Sequence, residues 1–223
     1  MKLNFFGEEE FSTHFGQELV FKKFEKSVAK MFDATLKILE QNRKLFTVSV
    51  NFVSENEIKE LNRVHRKKDV STDVLSFPNL NIKFENIDDI IMLRKITKED
   101  FKIDLCLKTK TLNLGDIYLS PAYVMKQAVE LGNTLDREVK YLLLHGFLHL
   151  FGFDHECEDD KVIMRGFEEM VLPQKMEVED SVEVYDDSPL IIEKTAEELL
   201  AEETVGVAPK RDPKLKTKTK KAK

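Results

Sequence analysis

The sequence has few cysteines and no long apolar segment, and both shortages restrict what the protein can be. Among 223 residues only Cys106 and Cys157 are cysteines, which excludes a disulfide framework and suits a reducing compartment. No apolar run approaches the roughly 18 residues that a membrane span requires. The N-terminal residues MKLNFFGEEEF place glutamates straight after a short apolar patch, unlike a secretory signal. We therefore expect a soluble, cytoplasmic protein that does not enter a membrane.

Charge is distributed unevenly along the chain and indicates how it is divided. The net charge is −6, but residues 156–203 carry −13 and residues 209–223 carry +7, so the remainder is close to neutral. With 42% apolar residues, the chain can form one domain with appendages. We predict a domain over residues 1–172, an acidic linker with a possible short helix over residues 173–208, and a disordered basic tail over residues 209–223. Such a tail can contact RNA electrostatically, or it can be neutralised by the acidic block before it.

Residues 141–155, YLLLHGFLHLFGFDH, hold three of the five histidines. His145 and His149 are four residues apart, so on a helix of about 3.6 residues per turn they project from the same face. Gly152 can adopt the positive φ that ends a helix and turns the chain, and His155 follows from the far side of that turn. Three imidazoles placed in this way can bind a catalytic zinc ion with one coordination position left open. The alternative, one or two core histidines plus a surface histidine, is disfavoured by this spacing.

Hydrophobic periodicity and capping signals divide the predicted domain into strands and helices. The alternating or β-branched segments that predict strands are residues 1–6 (an edge strand or an ordered arm), 45–53, 73–77 and 114–120. The segments with helical spacing are residues 17–41, 54–65, 121–131, the segment after Thr134 that carries His145 and His149, and residues 158–172. Ser54, Ser120 and Thr134 are the predicted N-caps, with Pro121 in the first helical position and Gly132 as a stop.

The order of these elements predicts an α+β (mixed α/β) fold, in which a small mixed β-sheet packs with helices and a central helix carries the HxxxH motif. Residues 79–113 are lysine-rich and weakly periodic. We interpret them as an inserted excursion over the surface.

Three motifs of this sequence resemble those of a known family. HGFLHLFGFDH is similar to the H-G-x-L-H-L-x-G-[YF]-D-H signature of the YbeY family, bacterial single-strand-specific endoribonucleases that act in rRNA maturation. The upstream HRKKDVSTDVLSFP resembles the second motif of that family, Y-R-x-K-D-x-x-T-D-V-L-S-F-P, and LGDI resembles the third. The motifs occur in the order of the family and cover about residues 45–172. The departures are His65 in place of tyrosine, the longer excursion at residues 79–113 and the roughly fifty residues after the last helix.

The resemblance implies a mixed sheet with helices and a metal-dependent, single-strand-specific endoribonuclease. It implies that one zinc ion per chain is held by His145, His149 and His155, and that Arg66 of the second motif is essential for RNA cleavage. It further implies small-subunit rRNA processing and ribosome quality control, with rRNA and the small ribosomal subunit or its assembly factors as partners.

The residues themselves leave two other functions open. The spacing H-x3-H-x2-G-x2-H also occurs in metzincin peptidases, which place a glutamate directly after the first histidine as general base. That position here is Gly146, so a zinc peptidase lacks its proton acceptor. Zinc, which lowers the pKa of a bound water to about 7, together with the bidentate guanidinium of Arg66, fits phosphodiester hydrolysis better. A non-catalytic ribosome-assembly factor with a structural zinc is the other alternative.

The remaining candidate site residues are weaker. Asp154 either hydrogen-bonds a ligating imidazole or stabilises the turn. Cys157 is a bystander rather than a fourth ligand in our interpretation, because the resembling family does not use this position. Lys67 and Lys68 either meet the RNA backbone or form a solvated basic turn. Asp116 of LGDI either lines the cleft or caps a strand end.

Overall fold

Five strands in the described part of the chain form one mixed sheet. The computed structural model describes residues 1–44, 46–79, 105–106 and 111–173. All of these belong to one compact unit, Met1–Ser181. The strands are β1 Lys2–Phe6, β2 Phe46–Phe52, β3 Val74–Pro78, β4 Leu105–Cys106 and β5 Thr111–Leu119. The predicted tail, the predicted linker beyond residue 173 and most of the predicted excursion lie outside the described residues.

The sheet has the order β1-β2-β5-β3, and β4 pairs with the beginning of β5. Strands β1, β2 and β5 are parallel, whereas β3 and β4 are antiparallel to β5. Residues of β2 alternate strictly between buried and half-buried, as the period of two in its sequence predicts. The mixed sheet of an α+β fold is therefore confirmed, and β1 is the predicted edge strand.

One boundary of the predicted excursion is wrong. Strand β5 begins at Thr111 rather than at residue 114, because Leu112 pairs with Phe46 of β2 and is fully buried. The last residues of 79–113 are therefore part of the sheet. Two further residues of the excursion, Leu105 and Cys106, extend the sheet as β4.

Six helices are present in the same described ranges. They are α1 Glu8–Phe15, α2 Phe21–Ile38, α3 Glu55–Arg66, α4 Pro121–Leu131, α5 Leu135–Leu150 and α6 Glu158–Val171. Five of them lie where the sequence predicts helices. Helix α1 was not predicted, because only two of its residues, Phe11 and Phe15, are buried and eight residues are too few for a periodic pattern to stand out.

Two of the three predicted N-caps are confirmed, and the third is wrong in its mechanism. Ser54 accepts a hydrogen bond from the Glu57 N–H while the Glu57 carboxylate accepts from the Ser54 N–H, completing a capping box. Thr134 caps α5 by accepting from the Arg137 N–H. Ser120 precedes α4, but its Oγ is buried and has no hydrogen-bond partner among the described residues. Helix α4 therefore begins with Pro121 in its first turn and without a side-chain cap, since proline supplies the helical φ and has no N–H to satisfy.

Helix α5 is the central helix, packed on β3 and β5 and against α2, α4 and α6. The Phe147 ring stacks on Phe32 of α2 with centroids 4.1 Å apart, a contact worth about 0.5–1.5 kcal/mol beyond the area it buries. Gly146 faces the sheet so closely that an added Cβ would lie 2.8 Å from Ser76 Oγ and 3.2 Å from Ile117 Cγ2. The absence of a side chain at residue 146 thus lets α5 lie directly against β3 and β5.

None of the helices in the described residues is both long enough and apolar enough to cross a membrane.

Candidate active site

Three histidines converge at the C-terminal end of α5. His145 and His149 lie one turn apart on this helix, with ring centroids 4.6 Å apart and Nε2 atoms 3.1 Å apart. Helix α5 ends at Leu150, and Gly152 turns the chain at φ 87°. His155 then returns, so that its ring centroid lies 5.2 Å from that of His145 and 5.1 Å from that of His149.

One nitrogen of each histidine can point to a common centre. These potential ligand atoms of His145, His149 and His155 all lie within 4.8 Å of one another, so the three side chains form a cluster that could hold a metal ion. The structure thus brings together the three residues that the sequence predicts as metal ligands.

The outer ring nitrogens of two histidines have hydrogen-bond partners that orient the rings. His149 Nδ1 lies 2.7 Å from the Phe153 carbonyl oxygen, and His145 Nδ1 lies 2.7 Å from Glu168 Oε1. Both oxygens accept hydrogen bonds, so each Nδ1 carries a proton, and in the neutral form of each ring Nε2 keeps its lone pair for the centre. Metal-binding histidines commonly have this arrangement, because the outer bond fixes the tautomer and the ring orientation.

Burial keeps His149 neutral. It lowers the pKa of His149 from 6.5 to about 4, assisted by the neighbouring His145 and opposed by the hydrogen bond to the Phe153 carbonyl. An imidazole must be unprotonated to bind a metal ion. At neutral pH His149 is therefore already in the form that a metal ion requires.

Tyr141 lies one turn before His145 on α5 and also contacts Glu168. Burial is the largest cause that raises the pKa of Tyr141 to about 12, followed by the negative charge of Glu168 and the hydrogen bond to its carboxylate. The phenol is therefore protonated at any physiological pH and donates its hydrogen bond to Glu168. The Glu168 carboxylate of α6 thus hydrogen-bonds two side chains of α5, His145 and Tyr141.

Sequence reasoning missed Glu168, although the sequence contains a signal for it. Helix α6 buries Met164, Glu168 and Val171, which lie at helical spacing on one face. A glutamate on the buried face of an amphipathic helix is unusual unless a partner neutralises or hydrogen-bonds it. The position of Glu168 on the buried face of an amphipathic helix is therefore the sequence feature that indicates a partner.

The histidines open onto a cleft of about 510 Å³. We call the part of its lining that comprises Tyr141, Leu142, His145, His149 and His155 the histidine wall. The part that we call the cation wall is formed by the end of α3, the loop that follows it and the start of β3, and comprises Asn62, Arg66, Lys68 and residues 70–76; Gln127 of α4 completes the lining. Arg66 and the three histidines, far apart in sequence, therefore line the same cleft.

Short-range hydrogen bonds shape the cation wall. Asn62 is buried and donates from Nδ2 to the Val70 carbonyl oxygen at 2.9 Å, which fastens the loop to α3. Lys67 ends the helix in the left-handed conformation at φ 60°. Asp73 Oδ1 accepts from the Val74 N–H at 2.7 Å and from the Thr72 hydroxyl at 2.9 Å. These hydrogen bonds hold the backbone of the cation wall in place, while the Arg66 side chain is exposed to solvent.

The weaker candidates are distributed as follows. Lys68 lines the cleft, whereas Lys67 donates from Nζ to the Val64 carbonyl oxygen of α3. Asp154 accepts a hydrogen bond from the His155 N–H at 2.7 Å, so this oxygen stabilises the turn. Cys157 is exposed in the N-cap position of α6 and does not belong to the histidine cluster. Asp116 lies opposite Phe77 in the sheet and is not among the residues that line the cleft.

The chain is similar to several known proteins. The family model described as Endoribonuclease YbeY matches residues 12–175. The protein named Endoribonuclease YbeY of Caldicellulosiruptor saccharolyticus is 36% identical over 67% of this chain and 88% of its own length. The protein of the same name from Clostridium beijerinckii is 38% identical over 68% of this chain and 87% of its own length. The solution structure of TM1509 from Thermotoga maritima, 26% identical, covers 76% of this chain and 88% of that protein with a TM-score of 0.40.

Proposed function

The chain belongs to the YbeY endoribonuclease family, and from this membership we propose that it is a metal-dependent, single-strand-specific endoribonuclease of rRNA processing. The observation that carries the proposal is the shared cleft, whose lining contains both Arg66 and the three-histidine cluster. A cation centre and a guanidinium in one cleft suit a phosphodiester, whose two unesterified oxygens share a negative charge and can both accept contacts.

We propose that the metal is one zinc ion per chain, held by His145, His149 and His155. The donor set supports this choice, because three neutral imidazoles suit zinc well and suit magnesium poorly. The outer hydrogen bonds of His145 and His149 leave their Nε2 atoms unprotonated toward the centre. When bound, zinc would supply Lewis-acid polarisation and a water of lowered pKa.

We assign Arg66 the role of binding and orienting the phosphate. Its guanidinium is planar and offers paired N–H donors, so it can contact two phosphate oxygens at once. Lys68 on the same wall adds a second positive charge for the RNA backbone. Arg66 can thus make a directional contact with two phosphate oxygens, and Lys68 on the same wall can make a less directional contact with the RNA backbone.

The two alternative functions fit the geometry less well. A metzincin-like peptidase needs a glutamate at residue 146, but this position is a glycine, and even a Cβ there would approach Ser76 Oγ to 2.8 Å, so a larger side chain would force its neighbours to shift. A structural zinc site is closed by four protein ligands. The cluster here has three members in the described residues and opens into the cleft.

We further propose that small-subunit rRNA and defective ribosomes are the substrates, that the small ribosomal subunit or its assembly factors are partners, and that the protein acts in the cytoplasm. The three sequence motifs and the family membership support this assignment. The predicted basic tail, residues 209–223, would add affinity for RNA that decreases with salt.

The test is a comparison of Arg66→Ala with Arg63→Ala in the full-length protein. Both arginines lie on α3, but Arg63 is paired with Glu60 and is absent from the cleft lining. We expect one equivalent of zinc in the wild type and in both variants, and loss of single-stranded RNA cleavage in Arg66→Ala only. Absence of zinc in the wild type would refute the metal site. Zinc without RNA cleavage would favour the assembly factor, and equal activity of the two variants would remove Arg66 from the mechanism.

A further inference from the structure

The proposed function gives no role to a buried carboxylate directly behind the histidine cluster. Glu168 of α6 is only 6% exposed, and a carboxylate loses its hydration on burial unless protein groups replace the water. Its replacements are His145 Nδ1, 2.7 Å from Oε1, and the Tyr141 hydroxyl. Both partners belong to α5, so the carboxylate joins two helices through polar groups.

The contact determines which nitrogen of His145 is available to a cation. Nε2 of His145 faces the centre of the cluster, since it lies 3.1 Å from Nε2 of His149. Nδ1 faces Glu168, and a carboxylate oxygen can only accept a hydrogen bond. The proton of the neutral ring is therefore held on Nδ1, and the lone pair is held on Nε2.

His145 differs in this respect from the other helical histidine. His149 donates to the Phe153 carbonyl oxygen, a neutral acceptor four residues away in the adjoining turn. His145 donates to a full negative charge supplied by another helix, 23 residues away in sequence. A charged acceptor makes a stronger hydrogen bond than a carbonyl, and it increases the electron density of the ring that it contacts.

We propose that Glu168 is a positioning residue of the metal centre, which holds the proton of His145 on Nδ1, directs Nε2 to the bound cation and offsets one unit of its charge. Tyr141 supports this role by fixing the carboxylate with its hydroxyl. The inference rests on the metal site of the proposed function and assigns a role to a residue outside the three-histidine motif.

The experiment compares three variants of the full-length protein in titrations with zinc against a chromophoric chelator. Glu168→Gln keeps the size of the side chain and removes its charge. Glu169→Gln makes the same change at the exposed neighbouring position of α6 and is the matched control. Tyr141→Phe removes only the supporting hydroxyl. We expect zinc affinity to fall about 10–100-fold in Glu168→Gln, to fall less in Tyr141→Phe and to remain unchanged in Glu169→Gln.

A second measurement separates positioning from mere stabilisation of the fold. The ¹⁵N chemical shifts of the imidazole nitrogens in the metal-free protein report which nitrogen carries the proton. We expect His145 protonated on Nδ1 in the wild type and in Glu169→Gln, and a mixture of tautomers in Glu168→Gln. A role confined to packing would lower the melting temperature without changing the tautomer.

The possible outcomes are distinct. Equal zinc affinities of wild type and Glu168→Gln, or an unchanged His145 tautomer, would overturn the positioning role. If Glu168→Gln does not fold, Tyr141→Phe decides, and wild-type affinity and tautomer in that variant would overturn the role as well. A wild type that binds no zinc would refute both this inference and the metal site. A wild type that binds zinc but leaves RNA intact would refute the proposed function alone.

Discussion

The histidine wall of the cleft is mainly built on a buried central helix, whereas the cation wall combines the end of α3, the loop that follows it and the start of β3. Gly146, Phe147 and Leu148, which separate His145 from His149, are all buried, so both rings are fixed by the packing of the helix. Arg66 is the last residue of α3, and its side chain is exposed. A metal ion needs ligands at fixed distances, and RNA is a flexible substrate. The packing of α5 thus holds the proposed metal ligands in place, whereas the proposed phosphate-binding side chain is exposed to solvent.

The largest expected effect is the loss of one histidine. Replacing His149 with alanine removes one of the three proposed ligands, so zinc affinity should fall by more than the 10–100-fold loss typical of residues that only support a ligand. RNA cleavage should disappear with the metal. Equilibrium dialysis with zinc and a gel assay of RNA cleavage measure the two effects.

The same pair of measurements distinguishes the two walls. Arg66→Ala serves as the reference, because it should lose cleavage and keep zinc. If His149→Ala bound zinc as tightly as Arg66→Ala does, the assignment of the walls to separate tasks would be wrong.

The acid sensitivity of the histidine wall should be the next largest effect. The pKa of His149 is lowered from 6.5 to about 4 in the folded protein, chiefly by burial. Between these values the unfolded chain binds a proton that the folded chain does not, so stability decreases as the pH falls from about 6.5 to about 4. This contribution is at most about 3 kcal/mol.

Urea unfolding of the metal-free protein at several pH values between 7 and 4 measures this dependence. His149→Gln should lack that part of the slope, because it has no titrating ring. If the free energy of unfolding depended on pH in the same way in the wild type and in His149→Gln, His149 would not be held neutral by the fold.

A smaller effect is expected where α5 packs on the sheet. Gly146→Ala should destabilise the protein by about 1–3 kcal/mol, because its Cβ would press on Ser76 Oγ and Ile117 Cγ2 of β3 and β5. Gly166 of α6 is the control, since a Cβ there meets no atom within 4 Å. Gly166→Ala should stabilise the helix by about 0.5–1 kcal/mol. Chemical denaturation of both variants measures the difference, and effects of the same sign would contradict the close packing of α5 on the sheet.

Local patterns in the sequence were sufficient for most elements and for the histidine cluster. The four-residue spacing of His145 and His149 and the turn at Gly152 depend only on helix geometry and on the backbone freedom of glycine, so the convergence of the rings could be predicted. The Ser54 and Thr134 caps are likewise decided within four residues. The same reasoning predicted a cap at Ser120 and was wrong, because the hydroxyl is buried and has no hydrogen-bond partner within the described ranges, and Pro121 starts the helix.

Contacts between distant segments could not be derived from local patterns. Nothing in the spacing of residues 65–78 places Arg66 in the same cleft as the histidines; the placement follows from the pairing of β3 with β5 and the packing of α5 on both strands. Glu168 reaches His145 only because α6 folds back on α5 after the turn. Its position on the buried face of α6 indicates that a partner exists, but the identity of that partner is a tertiary fact.

Because β3 pairs with β5 and α6 packs on α5, the cleft can be completed during synthesis only after α6 has been made. Its walls come from residues 62–76 and 141–155, and its supporting carboxylate comes from residue 168. A growing chain from which α6 has not yet emerged therefore lacks the carboxylate that supports His145. We expect such a chain to bind the proposed metal ion more weakly than the finished domain does.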